Sequence, residues 1–291
     1  MFENFEREYI ETGDAEIALR RGGSGPPLVL LHGYPETGAM WHKVAPQLMD
    51  QFSVIIPDLR GYGYSNGPMS PSTEDYSNRS MAEDVVTVME KLGYNRFQLA
   101  GHDRGGRVGY RLALDYPAYV KRLVTLDMIP TLESVERINS EAAMVRFHWF
   151  LMAQPHPFPE TLIGNDPEYY IDFMLGRSGF DIFADEALSE YRDCFCDENM
   201  IRATCEDYRA GFSVDLDHDR VDREAGNQIT CPTLALWGET GTRKGRPTDP
   251  LGIWERWASD VQGRALNCGH FLPEEIPDVV VREFDSFFEA E

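Results

Sequence analysis

The chain has 291 residues, 42% of them hydrophobic, enough for one large core or two smaller ones. Its 49 acidic residues outnumber 27 basic ones, and the formal net charge of −22 argues against nucleic acid or anionic membrane as partners. It argues equally against an anionic small molecule, unless a basic pocket is built locally.

The opening "MFENFEREYIETGDAE" is polar and acidic where a secretion signal would need a basic region and an apolar run. "EIALRRGG" and "PPLVLLHG" read as strands ending in glycine turns, and "SVIIPDLRG" as a short β-branched strand. "MAEDVVTVMEKLG" has helical spacing, an acidic first turn and a terminal glycine. "RFQLAGHD" predicts another strand, "GGRVGYRLALDYP" a helix stopped by Pro117, and "VKRLVTLDMIP" a further strand. Nearly continuous apolar strands alternating with helices imply a parallel sheet covered on both faces.

The rhythm breaks after Pro130. Residues 131–224 are aromatic and charged with helical spacing and no buried strand, which predicts a helical insertion. The pattern resumes with the strand "CPTLALWGE", the helix "LGIWERWAS", the strand in "GRALNCGHF" and a last helix through "PDVVVREFDSFFEA". Residues 1–130 and 225–291 therefore form an α/β core, and 131–224 cover the strand C-termini, where open α/β sheets bind ligands. Five cysteines, Cys194, Cys196, Cys205, Cys231 and Cys268, contain no C-x-x-C pair. No apolar stretch approaches the ~18 residues of a membrane span, so a soluble, cytoplasmic chain with reduced thiols is expected.

The chemistry concentrates at "LAGHDRGGRVGY", where Gly101-His102-Asp103-Arg104-Gly105 stands between a strand and a helix. That setting lifts the central residue out of the sheet on a sharp turn. The helix N-terminus beneath it favours a negative charge. His270 follows the last strand in "NCGHF", as the chain order nucleophile, acid, histidine requires. The acid has two candidates: Asp127, at the tip of "LVTLDMIP", is preferred, and Glu239 in "GETG" is the alternative. Backbone N–H groups of Tyr34, in "HGYPET", and of Arg104 are placed to converge on one oxygen. A carboxylate nucleophile attacks saturated carbon and becomes an alkyl ester, so the substrate needs a halide or epoxide oxygen as leaving group. Arg104 and Arg107 lie three apart at the start of the helix, and two guanidinium forks can hold a small carboxylic acid.

"HGYPET", "GHDRGG" and "GHF", with an insertion between strands, resemble the α/β-hydrolase superfamily over essentially the whole chain. The resemblance is to the branch with an aspartate nucleophile, which holds haloalkane dehalogenases, soluble epoxide hydrolases and haloacetate dehalogenases. The haloalkane enzymes carry "HDWG" here, from which this chain departs; "HDRGGR" is similar to the haloacetate (fluoroacetate) dehalogenases. That resemblance implies a mostly parallel sheet flanked by helices with a helical cap. It implies Asp103, Asp127 and His270 as catalytic, and Arg104 and Arg107 on the substrate carboxylate. It further implies His148, Trp149 and Tyr208 around the halide, a haloacid and water as reactants, no metal or cofactor, and a homodimer. An epoxide hydrolase is the alternative, with Tyr169, Tyr170, Tyr191 and Tyr208 as possible donors to the opening oxygen. A binding protein without turnover is a third possibility.

Overall fold

The computed structural model describes residues 1–68, 71–240 and 249–289. Eight strands form one sheet: β1 (Glu6–Glu11), β2 (Glu16–Gly22), β3 (Pro27–Leu31), β4 (Ser53–Pro57), β5 (Phe97–His102), β6 (Val120–Leu126), β7 (Thr233–Gly238) and β8 (Val261–Leu266). Their spatial order is β1-β2-β4-β3-β5-β6-β7-β8. β2 runs antiparallel to β1 and β4, and the remaining pairings are parallel. Every residue of β3, β4 and β5 is buried, as expected of strands covered on both faces. The sequence reading missed β1: as a charged edge strand, "EREYIE" has too few buried positions to give an apolar pattern.

Helices α1 (Ala45–Leu48), α2 (Asn78–Lys91) and α3 (Asp103–Asp115) belong to the first part of the chain. Between β6 and β7 there are only helices. These are α4 (Thr131–Glu136), α5 (Ser140–Val145), α6 (Phe147–Met152), α7 (Phe158–Gly164), α8 (Pro167–Gly176), α9 (Asp185–Phe195), α10 (Glu198–Gly211) and α11 (Val214–Ala225), with a 3₁₀ turn at Phe180–Ile182. The chain closes with α12 (Pro250–Trp254), α13 (Leu272–Glu275) and α14 (Pro277–Phe288). Among the described residues no helix is long and apolar enough to cross a membrane.

The inserted helices are fastened to the sheet layer by buried ion pairs and hydrogen bonds. Arg111 of α3 meets Asp219 and Asp222 of α11 at 2.9 and 2.5 Å. Asn78, opening α2, donates twice to Asp215. Chain order reverses at β3, whose neighbours are β4 on one side and β5 on the other. Such a switch point opens a crevice beyond the carboxyl ends of the strands. The segments after β3, β5, β6 and β8 converge there.

Candidate active site

Asp103 is the first residue of α3, directly after β5, with φ of +45°, a left-handed conformation uncommon outside glycine. The flanking glycines make this turn sterically possible. A Cβ on Gly101 would sit 2.4 Å from the Gly105 carbonyl oxygen, and one on Gly105 would sit 2.4 Å from that of His32. Opposite, after β3, the Tyr34 N–H donates to Asp103 Oδ1 at 3.3 Å. Burial alone would raise the Asp103 pKa, but His270, His102 and the two arginines outweigh it and bring it down to about 2. The carboxylate is therefore ionised at neutral pH.

His270 reaches this carboxylate from beyond β8, with Nε2 4.0 Å from Asp103 Oδ2. Its other nitrogen settles which acid it meets: Nδ1 lies 2.6 Å from Asp127 Oδ2. Asp127 follows β6 with φ of +52°, and its Oδ1 accepts from the Gly238 N–H at 2.9 Å. Glu239 is exposed at the end of β7, its own N–H bonded to the Leu266 carbonyl. A further pair, given no role by the sequence reading, lies beneath: His102 and Glu36, both 0% exposed and 3.3 Å apart. Burial opposes a charge on His102, but Glu36 overcomes it and raises the pKa to about 9. The imidazolium donates through Nε2 to the His270 carbonyl at 2.8 Å, bracing the loop that carries the base.

The two arginines do not do the same thing. Arg104 is 4% exposed, and its Nε and Nη2 are both taken by the carboxylate of Asp207 on α10, which also accepts from the Tyr62 hydroxyl. Arg104 was expected to hold a ligand carboxylate together with Arg107, and in the fold two of its three guanidinium nitrogens already meet Asp207. A buried guanidinium needs a counter-charge, and the insertion supplies one, leaving Nη1 as the nitrogen not engaged by Asp207. Arg107 is 2% exposed and holds only hydroxyls, Thr131 Oγ1 at 2.9 Å and Ser134 Oγ at 3.4 Å. Its Nε has no hydrogen-bond partner among the described residues, and burial followed by Arg104 pushes its pKa down.

Arg107, Asp103, Asp127 and His270 line one cavity of about 420 Å³, which the insertion covers with His148, Trp149 and Tyr208. The His148 ring stacks on Tyr34 at 5.8 Å, Tyr208 stands edge-on to both, and Trp149 tilts against Tyr208 at 6.4 Å. Burial and then Arg177 lower the His148 pKa to about 3, so the ring is neutral and can donate one N–H. The Tyr208 pKa is pushed up by burial and by Asp103, which keeps its hydroxyl a donor. Of the four tyrosines considered for epoxide opening, only Tyr208 lines the cavity. Tyr169 is 68% exposed and the Tyr191 hydroxyl donates to Glu274 at 2.8 Å. The sequence reading also missed Arg146 and Arg177 at the cavity wall.

The α/β-hydrolase fold family matches residues 26–277. A fluoroacetate dehalogenase of Burkholderia sp is 40% identical over 291 residues, covering 99% of this chain and 95% of the relative. A soluble epoxide hydrolase of Corynebacterium sp. (strain C12) is 35% identical over 272 residues, 91% of each chain. The crystal structure of a Nostoc sp PCC 7120 protein described as an α/β hydrolase superposes with a TM-score of 0.96, at 48% identity over 100% of both chains.

Proposed function

This chain belongs to the α/β-hydrolase family, within its haloacetate-dehalogenase group, and we propose that it hydrolyses short 2-haloacids through an ester on Asp103. The observation that carries this reading is Arg107: a buried guanidinium with no carboxylate among its hydrogen-bond partners in the described residues, lining the same cavity as an ionised aspartate. A neutral epoxide would leave that charge uncompensated, whereas a haloacid supplies the missing anion. Arg107 anchors the substrate carboxylate, and Arg104 contributes its charge and its remaining Nη1.

An Asp103 oxygen attacks the halogen-bearing carbon, the new C–O bond forms as the carbon–halogen bond breaks, and the halide leaves with the electron pair. His148, Trp149 and Tyr208 donate N–H, N–H and O–H to it, which matters most for fluoride, where charge must be stabilised as it develops. His270 then takes a proton from water, and the hydroxide adds to the Asp103 carbonyl carbon. The 4.0 Å between Nε2 and Oδ2 is too long for a direct hydrogen bond and suits a bridging water. Asp127 orients the imidazole and stabilises its charge. The backbone N–H groups of Tyr34 and Arg104 hold the tetrahedral oxyanion; its collapse releases a 2-hydroxyacid that takes the proton back from His270, and Asp103, left as a carboxylic acid, gives its own proton to solvent. The net change is haloacid plus water to hydroxyacid plus hydrogen halide.

A fluoride electrode with fluoroacetate, beside bromoacetate and a neutral epoxide, tests the substrate class. Haloacid turnover with inert epoxide is expected, and the reverse refutes the reading. Single turnover in ¹⁸O-water should label the Asp103 carboxylate; label found directly in the product would mean that water, not Asp103, attacks the substrate.

A further inference from the structure

A cation that disfavours positive charge at one point stabilises negative charge at that same point, through the same Coulomb interaction. His148 marks such a point. Its Nδ1 is shut away from solvent with no hydrogen-bond partner among the described residues, and after burial Arg177 does most to keep the ring neutral, with Arg146 also contributing. Asp103 pulls the other way. Under the reaction proposed above, Asp103 loses its charge on becoming an ester, as the halide acquires one.

Arg146 and Arg177 both line the cavity. Arg146 links α5 to α6, and its Cζ lies 5.2 Å from the Trp149 ring centroid, while Arg107 Cζ lies 4.9 Å from the same ring. Two guanidiniums over one indole draw on its π-density, which strengthens Nε1–H as a donor. Arg177 caps the C-terminus of α8, and its Nη2 donates to the Val145 carbonyl at 2.8 Å, next to Arg146. Its other contact is the Phe147 ring, and no carboxylate among the described residues pairs with it. A helix C-terminus suits a cation, which explains Arg177 at that end of α8 but not why its charge faces the cavity that Asp103 and Arg107 line.

We infer that Arg146 and Arg177 form a cationic rim that stabilises the halide in the pocket of His148, Trp149 and Tyr208 without touching the haloacid's carboxylate. They are positioning residues that act through the field at the halide and through Trp149. The inference rests on the halide-pocket reading above.

Chloride and glycolate affinities, each from NMR line broadening at constant ionic strength, test it. Wild type should bind chloride, and Trp149→Phe should lose most of that affinity. Arg146→Gln and Arg177→Gln should each weaken chloride by about 3–10-fold, the size of one screened charge several ångströms away, and weaken glycolate much less. Arg146→Lys and Arg177→Lys should restore most chloride affinity, which a purely structural role would not produce. Unchanged chloride affinity in both Gln variants, with Trp149→Phe impaired, overturns the rim while leaving the pocket standing. Equal weakening of chloride and glycolate also overturns it, because the arginines would then attract any anion. Equal chloride affinity in wild type and Trp149→Phe would instead remove the halide pocket itself.

Discussion

Removing the Arg107 guanidinium should make the protein more stable and nearly inactive. In the free protein this group is 2% exposed, with one good hydrogen bond at 2.9 Å and a longer one at 3.4 Å. Taking such an ion out of water costs several kcal/mol. Against that stand about 1.5–3 kcal/mol for a good hydrogen bond to a charged donor and ~0.5–2 kcal/mol for the cation–π contact with Trp149. The terms nearly cancel, so the site waits for its anion with a deficit of about 1 kcal/mol. In Arg107→Met the thioether fills similar space. The hydroxyls are not orphaned, because Thr131 still accepts from Tyr110 and Ser134 still donates to the Ile129 carbonyl. Calorimetry should show Tm rising by about 1–2 °C, the response of a chain of this size to ~1 kcal/mol. Fluoroacetate or bromoacetate should stabilise wild type against heat and leave the variant unmoved. Loss of a buried, hydrogen-bonded charge partner for the substrate is worth ~2–5 kcal/mol, so kcat/KM should fall by about 30- to 5000-fold. A variant that is less stable than wild type yet still turns over haloacids would refute the argument and make Arg107 a structural residue.

In His270→Ala, the ester on Asp103 should accumulate and appear as a mass increase on the intact protein after exposure to bromoacetate; an unchanged mass with lost activity would place His270 in the first step. Asp127→Asn should slow ester hydrolysis by up to ~10⁴, as a comparable triad substitution does, while Glu239→Gln changes single-turnover rates little; the reverse ranking would move the acid to β7. Burial raises the Asp215 carboxyl pKa to about 7, so the folded chain keeps a proton that the unfolded chain releases. That contribution is fully present below the ordinary carboxylate range and is lost as pH rises through 7. Wild-type Tm should therefore drop more than that of Asp215→Asn between about pH 5 and 8, and parallel curves would show that the carboxyl is ionised throughout.

What was legible in the sequence is what local sterics enforce. Gly101 is needed by the close approach of the Gly105 carbonyl four residues on, whereas Gly105 is needed by the end of β3 at His32; the strand-end positions of Asp103, Asp127 and His270 follow from strand order along the chain. The preference for Asp127 over Glu239 came from strand position alone; the contact behind it, the Asp127 side chain reaching His270 across the β7 tip with the Gly238 N–H holding its other oxygen, belongs to the fold. Nor could spacing separate Arg104 from Arg107. The partner that fills the Arg104 fork lies 103 residues away on α10, and nothing in "EDYRAGF" says that Asp207 points down while Tyr208 faces the cavity.

The same contrast resolves the conflict between a net charge of −22 and an anionic substrate. Most carboxylates are distant and screened in water, so what binds an anion is the local absence of a competing acid. Arg111 and Arg104 are each matched by carboxylates from the insertion. Arg107, one turn from each along α3, meets Thr131, Ser134 and the face of Trp149 instead. Hydroxyls and an indole hold a guanidinium in place without neutralising it, so its charge is left to attract a carboxylate. A substitution such as Ser134→Asp would supply that carboxylate from within: it should raise Tm and suppress haloacid binding without touching Asp103, Asp127 or His270. Retained haloacid affinity in that variant would mean that the anion is held elsewhere in the cavity.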